Sequence, residues 1–218
     1  MKRIVLTLPA KFLALAFLTT AFPVAAVGPF FDDFESGLGQ WAGRPSTAYS
    51  GQLMPDPLSS GRGQVLCFTN LNSGGDLFVS NPIALSGLVN VSFDYLGLPA
   101  LGGTPGDLGG FLGIIYSPTA TTQGTDLFWF AGTQDSYPGL TVFLTDDGAW
   151  HHYSFQLNAS AIPAFHLMLE DYSGSGGVPC DIFFDNISVA PVPEPAVGSL
   201  LLLSLLAGGG WGRRPRQS

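Results

Sequence analysis

The chain carries few groups suited to catalysis: three histidines, His151, His152 and His166, and two cysteines, Cys67 and Cys180. His151 and His152 are neighbours in an alternating run, so on a strand they point to opposite faces and cannot ligate one metal or serve one site together. His152 shares its face with Ser154 and Gln156, and His151 shares the other with Tyr153, Phe155 and Leu157. No Gly-x-Ser-x-Gly elbow, His-Glu-x-x-His helix or phosphate-binding loop is present, and the cysteines lack a metal-ligand spacing. A pair of glycosidase carboxylates is not decided by sequence, since any two acids can meet in space. These residues favour a protein that is not an enzyme. For sugar binding, aromatic faces beside polar groups are required. On the strand predicted over Asp126 to Ala131, Trp129 faces away from Phe128 and Phe130, which makes Tyr116, Asp126 and Trp129 the candidates; core packing is the alternative reading of each. The acids near the two ends of the central region also alternate usefully: Asp33 and Glu35 point one way, and Asp181 and Asp185 share a face of the last strand.

These groups sit in a chain of distinct parts. Lys2 and Arg3 precede an apolar stretch, Ile4 to Phe22, broken by Lys11, and Val24 and Ala26 supply the small residues of a signal-peptidase site; residues 1–26 read as a signal peptide for export. At the other end, Pro193, Glu194 and Pro195 are followed by an uncharged apolar run, Ala196 to Gly212, and then by Arg213, Arg214 and Arg216. As a helix that run reaches roughly 25 Å, slightly short of a hydrocarbon core of about 30 Å, a gap that snorkelling arginines close. The basic end favours a cytoplasmic C-terminus, with the body outside.

Between these ends, residues 27–191 have the size of one domain with a sizeable core. Glu194 is the only acid outside this body, whose 15 acids are set against Arg44 and Arg62 alone. So acidic a surface excludes nucleic acid as a natural partner and leaves cations and neutral glycans. The two cysteines can pair only with each other, closing a loop of over 100 residues; a bond is expected after export, and two buried thiols are the alternative.

The period of the body is that of strands. Val89, Val91, Phe93 and Tyr95 alternate with Asn90, Ser92 and Asp94, the pattern of a half-buried strand. Similar runs are predicted at Phe30 to Phe34, Gln64 to Thr69, Asp76 to Ser80, Phe111 to Tyr116, Asp126 to Ala131, Leu140 to Leu144, Trp150 to Leu157, Ala164 to Glu170 and Asp181 to Val189. Turn-forming residues separate them, as at Asp146-Asp147-Gly148. About ten strands without a helical period predict an all-β fold, an antiparallel β-sandwich. Gly97 to Gly113, with seven glycines, reads as a binding loop at the rim or a plain crossover.

Two resemblances extend this reading. The Pro-Glu-Pro triplet, the short apolar helix and the arginine-rich end of residues 192–218 resemble the PEP-CTERM sorting signal of Gram-negative bacteria. That resemblance implies a precursor in the inner membrane, processing by a membrane enzyme of the exosortase type, and a mature protein at the cell surface or outside the cell. FFDDFESGLGQW (Phe30 to Trp41), VSFDYL (Val91 to Leu96), DDGAWHHYSFQL (Asp146 to Leu157) and IFFDNISV (Ile182 to Val189) look like the galactose-binding-like jelly roll shared by carbohydrate-binding modules. In that family the first and last strands run side by side, and a structural calcium is often held between them. The resemblance implies calcium at Glu35 and Asp185, with Asp33 or backbone carbonyls completing the shell, although Asn186 stands where relatives often have a second Asp. The expected function is a non-enzymatic surface or matrix protein, structural or adhesive. A module that binds exopolysaccharide is the alternative, and a glycan hydrolase the third reading.

Overall fold

The computed structural model describes residues 28–43, 51–69, 77–116, 127–133, 139–162, 164–172 and 177–193. The signal peptide, Asp126, and the tail from Glu194 through the apolar run to Arg213, Arg214 and Arg216 lie outside the described residues.

The strands are β1 (Phe30–Asp32), β2 (Trp41–Gly43), β3 (Gly51–Pro55), β4 (Gln64–Phe68), β5 (Leu77–Val79), β6 (Leu88–Gly97), β7 (Gly110–Ile115), β8 (Leu127–Gly132), β9 (Val142–Phe143), β10 (His151–Asn158), β11 (His166–Asp171) and β12 (Ile182–Pro191), with one 3-10 turn at Pro99–Leu101. The Gly97 to Gly113 stretch is thus strand at both ends and loop only between. Two sheets form. The first runs β10-β6-β12-β4-β3, with β1 also on β12, and the second runs β2-β5-β11-β7-β8-β9. The fold is the expected β-sandwich with one correction: β8 and β9 pair in parallel, Ala131 beside Val142 and Gly132 beside Phe143. β9 runs alongside only the last two residues of β8, a short parallel contact that turn residues alone do not reveal.

Alternation decides the core. Val89, Val91, Phe93 and Tyr95 of β6 and Phe155 and Leu157 of β10 face Leu167 and Leu169 of β11 and Leu112 and Ile114 of β7. β4 is buried on both sides: Leu66 and Phe68 join this core, while Val65 and Cys67 join Leu96 and Phe183 in a small outer cluster edged by Met54, Trp150 and Cys180. The expected disulfide is present: Cys67 is bonded to Cys180, with Cα atoms 5.0 Å apart. It ties β4 to the turn before β12.

β12 organises the first sheet. β6 lies along one of its edges; the other is shared end to end, by β4 at Phe183 and Phe184 and by β1 at Ile187 to Val189. The register shifts between Asp185 and Ser188, and Asn186 takes a left-handed conformation (φ 51°). This bulge resets the alternation. Ile182 and Phe184 face the core before it, and Ile187 and Val189 face the core after it, so Asn186 is not driven inward. The bulge falls in the gap where β1 leaves off and β4 has yet to begin.

Candidate functional site

That gap is the floor of an open cleft of about 760 Å³ bounded by Asp33, Glu35, Arg62, Asp94, Trp150 and Asp185 among others. Two turns shape it. Where β1 ends, Asp32 Oδ1 accepts the Phe34 amide at 2.8 Å and Phe34 is left-handed (φ 60°), so the strand phase that aligned Asp33 with Glu35 is lost, though both still reach the cleft. Glu35 Oε1 accepts the amide of Gln64, the first residue of β4, at 2.7 Å. Gly63 makes this approach possible: its φ is +84°, and a Cβ there would lie 2.0 Å from Glu35 Oε1. The second turn is built on Asp56, whose carboxylate accepts the amides of Leu58 and Ser60, the Ser60 hydroxyl and the Trp150 indole N–H. Burial works against that carboxylate, but these donors outweigh it and bring its pKa down to about 2.

Arg62 leaves this turn and reaches across the gap. Its Nη1 donates to Asp94 Oδ2 on β6 and, at 3.2 Å, to Asp185 Oδ2 on β12, while the guanidinium lies 4.4 Å from the Trp150 ring centroid. Asn186 Nδ2 donates to the same two oxygens, at 2.8 Å and 3.1 Å. His152 Nδ1 meets Asp94 Oδ1 at 2.7 Å, and the Asn186 amide donates to Asp185 Oδ1 at 2.8 Å. Burial opposes the Asp94 charge, yet bonds from Arg62, Asn186 and His152 leave its pKa below the ordinary value. At Asp185 burial prevails over the Asn186 amide and Arg62, and the pKa rises to about 6. Of the two carboxylates, Asp94 lies closer to Arg62.

Beyond the cleft, the outer face of the first sheet continues as polar rows set by register. His152 lies beside Asp94, Ser154 beside Ser92 and Ser92 beside Ser188, and Gln156 beside Asn90. Ser154 Oγ, two residues along the same face from His152, donates to Asn90 Oδ1 at 3.0 Å and not to the imidazole. What the face offers is a fixed array of donors and acceptors flanked by an aromatic ring and a guanidinium, the equipment for holding a polar ligand.

The predicted site residues are distributed differently from the expectation. Asp33, Glu35 and Asp185 do line one cleft. Asp181 does not join them: it precedes β12, is fully buried, and its Oδ2 accepts the Val178 amide. Among the described residues no group of three or more His, Cys, Asp or Glu is placed to hold a metal ion. The sugar-stacking residues are corrected too. Trp129 is only 6% exposed, because Gly113 leaves room for its ring, which packs 5.5 Å from Phe111; a Cβ on Gly113 would sit 2.7 Å from Trp129 Cε3. Tyr116 is half-buried and stacks on Phe128 at 5.8 Å, and Phe128 is the exposed ring. The residues missed at the site are Arg62, Asp94, Trp150 and Asp56. One signal was available for Asp94, its place on the polar side of the alternating β6 strand.

No protein-family model matches the chain, and no curated protein sequence does. Solved structures do resemble it. The tandem CBM22-1-CBM22-2 domain of Paenibacillus barcinonensis Xyn10C is similar at a TM-score of 0.50 and 13% identity, over 75% of this chain and 50% of that one. The K1 cleaved adhesin domain of Lys-gingipain from Porphyromonas gingivalis W83 gives 0.49 and 11%, over 76% and 99%. The CBM22-1 xylan-binding domain of the same Xyn10C gives 0.48 and 16%, over 76% and 95%. At such identities the likeness to the tandem domain is one of fold alone, and it agrees with the two-sheet sandwich described above.

Proposed function

We propose that the chain is an exported, non-catalytic surface protein that uses the outer face of its first sheet to bind a hydroxyl-rich polysaccharide. The observation that carries this reading is the run of polar rows on adjoining strands, His152 with Asp94, Ser154 with Ser92 and Ser188, and Gln156 with Asn90, with the exposed Phe31 ring ending the second row beside Ser188. Hydroxyl and amide groups in register match the donors and acceptors of a sugar chain, and the bonds of His152 to Asp94 and of Ser154 to Asn90 hold part of the array in place before binding, which lowers its ordering cost. The Cys67–Cys180 bond supports export, since such bonds persist in oxidising compartments. The tail is the sorting device in this reading: an exosortase-type enzyme processes the inner-membrane precursor near Pro193, and the body reaches the cell surface or the medium. Binding to the cell's own exopolysaccharide would make the role adhesive or structural.

The experiment is retention of the full chain, in mild detergent, on an array of bacterial exopolysaccharides and plant glycans. Binding to at least one is expected, weakened tenfold or more when His152, Ser154 and Gln156 are replaced together by alanine. No retention on any polysaccharide, or retention indifferent to the triple replacement, would overturn the reading. Release of reducing sugar from the array would establish a hydrolase instead.

A further inference from the structure

We propose that Arg62 is the built-in counter-ion of the seam and takes the place of the calcium that the jelly-roll resemblance implies. This does not depend on polysaccharide binding. A calcium ion needs six to eight oxygens turned toward it. Here both oxygens of Asp94 and of Asp185, and one oxygen each of Glu35 and Asp33, are turned toward nitrogen donors: Asp94 Oδ2 toward Arg62 and Asn186, Asp94 Oδ1 toward His152, Asp185 Oδ2 toward Arg62 and Asn186, Asp185 Oδ1 toward the Asn186 amide, Glu35 Oε1 toward the Gln64 amide, and Asp33 Oδ1 toward the Glu35 amide. Asn186, at the position where relatives often carry an acid, contributes its N–H groups in place of a carboxylate.

The guanidinium is also held from behind. Its Cζ lies over the Trp150 ring, the Trp150 indole N–H donates to Asp56, and the turn from Asp56 closes through the Asp56 amide on the Gly63 carbonyl at 2.8 Å. A planar, always charged group with several donors can bridge two carboxylates on neighbouring strands, which is the task a divalent ion performs by coordination. The Asp94 and Asp185 side chains are only 9% and 2% exposed, so water does not supply that compensation. Removing Arg62 would leave two buried carboxylates facing each other.

The test is thermal unfolding of the full chain, in detergent, with millimolar calcium or with chelator, alongside isothermal titration with calcium. The wild-type midpoint is expected to be the same in both, with no stoichiometric heat, and Arg62→Gln is expected to lower it by several degrees. If Arg62→Gln fails to fold, Arg62→Lys, which keeps the charge but not the planar fork, is expected to melt below wild type and to remain indifferent to chelator. Stoichiometric calcium binding that raises the wild-type midpoint and is abolished by Asp185→Asn would overturn the proposal. So would an Arg62→Gln protein that melts like wild type.

Discussion

Replacing Asp171 with asparagine should stabilise the protein at neutral and alkaline pH. Asp171 closes β11, is fully buried, and neither of its carboxyl oxygens has a hydrogen-bond partner among the described residues. Around it lie Asp181, also fully buried with one unpartnered oxygen, and Tyr95, whose hydroxyl donates to Asp146 at 2.7 Å. Burial, with the Asp181 charge adding to it, pushes the Asp171 carboxyl up to about 9. An unfolded chain titrates an aspartate near pH 3.9, so between roughly pH 4 and pH 9 the folded state binds a proton that the unfolded state has released. The folded pKa is the higher one; the stability is therefore complete below about pH 4 and falls by about 1.4 kcal/mol per pH unit as the pH rises toward 9. At pH 7 that amounts to on the order of 4 kcal/mol. Asparagine has no proton to lose, but its amide would be no better partnered, at a cost of about 1 to 3 kcal/mol. The net gain expected at pH 7 is about 1 to 3 kcal/mol. Urea unfolding of both proteins from pH 4 to pH 9 measures it: the variant-minus-wild-type difference should rise with pH, since slopes due to other acids appear in both. A difference that stays flat across that range would refute the reasoning.

Two further outcomes are expected. Breaking the Cys67–Cys180 bond, which spans 113 residues, should lower stability by roughly 4 to 5 kcal/mol if it acts through unfolded-chain entropy, checked by urea midpoints before and after reduction; an unchanged midpoint would remove that role. Replacing Pro193, Glu194 and Pro195 with alanine should leave the precursor unprocessed on a gel of the native host's membranes, and normal maturation would sink the sorting reading.

Local stereochemistry made much of the architecture legible in the sequence. The alternation of Val89 to Tyr95 and of Tyr153 to Leu157 states which side of a strand is buried, because side chains of an extended backbone point to opposite faces whatever packs against them. It placed Asp94 and His152 on the outer face correctly, and the presence of only two cysteines left one pairing. What it left undecided depends on segments meeting in space. β2 and β3 were missed, since Trp41–Gly43 is short and Gly51–Pro55 is bounded by Gly and Pro, and both are strands through pairing with β5 and β4. Trp129 lies on the face its alternation assigns, but Phe111 and Gly113 decide that this face is covered. At the seam, Arg62 meets partners 32 and 123 residues away, and the bulge at Asn186 lets that side chain donate to the same Asp94 and Asp185 oxygens as Arg62. Alternation is a property of the backbone and can be read residue by residue, whereas desolvation and charge pairing are properties of a place, and the place exists only once β1, β4, β6 and β12 have come together.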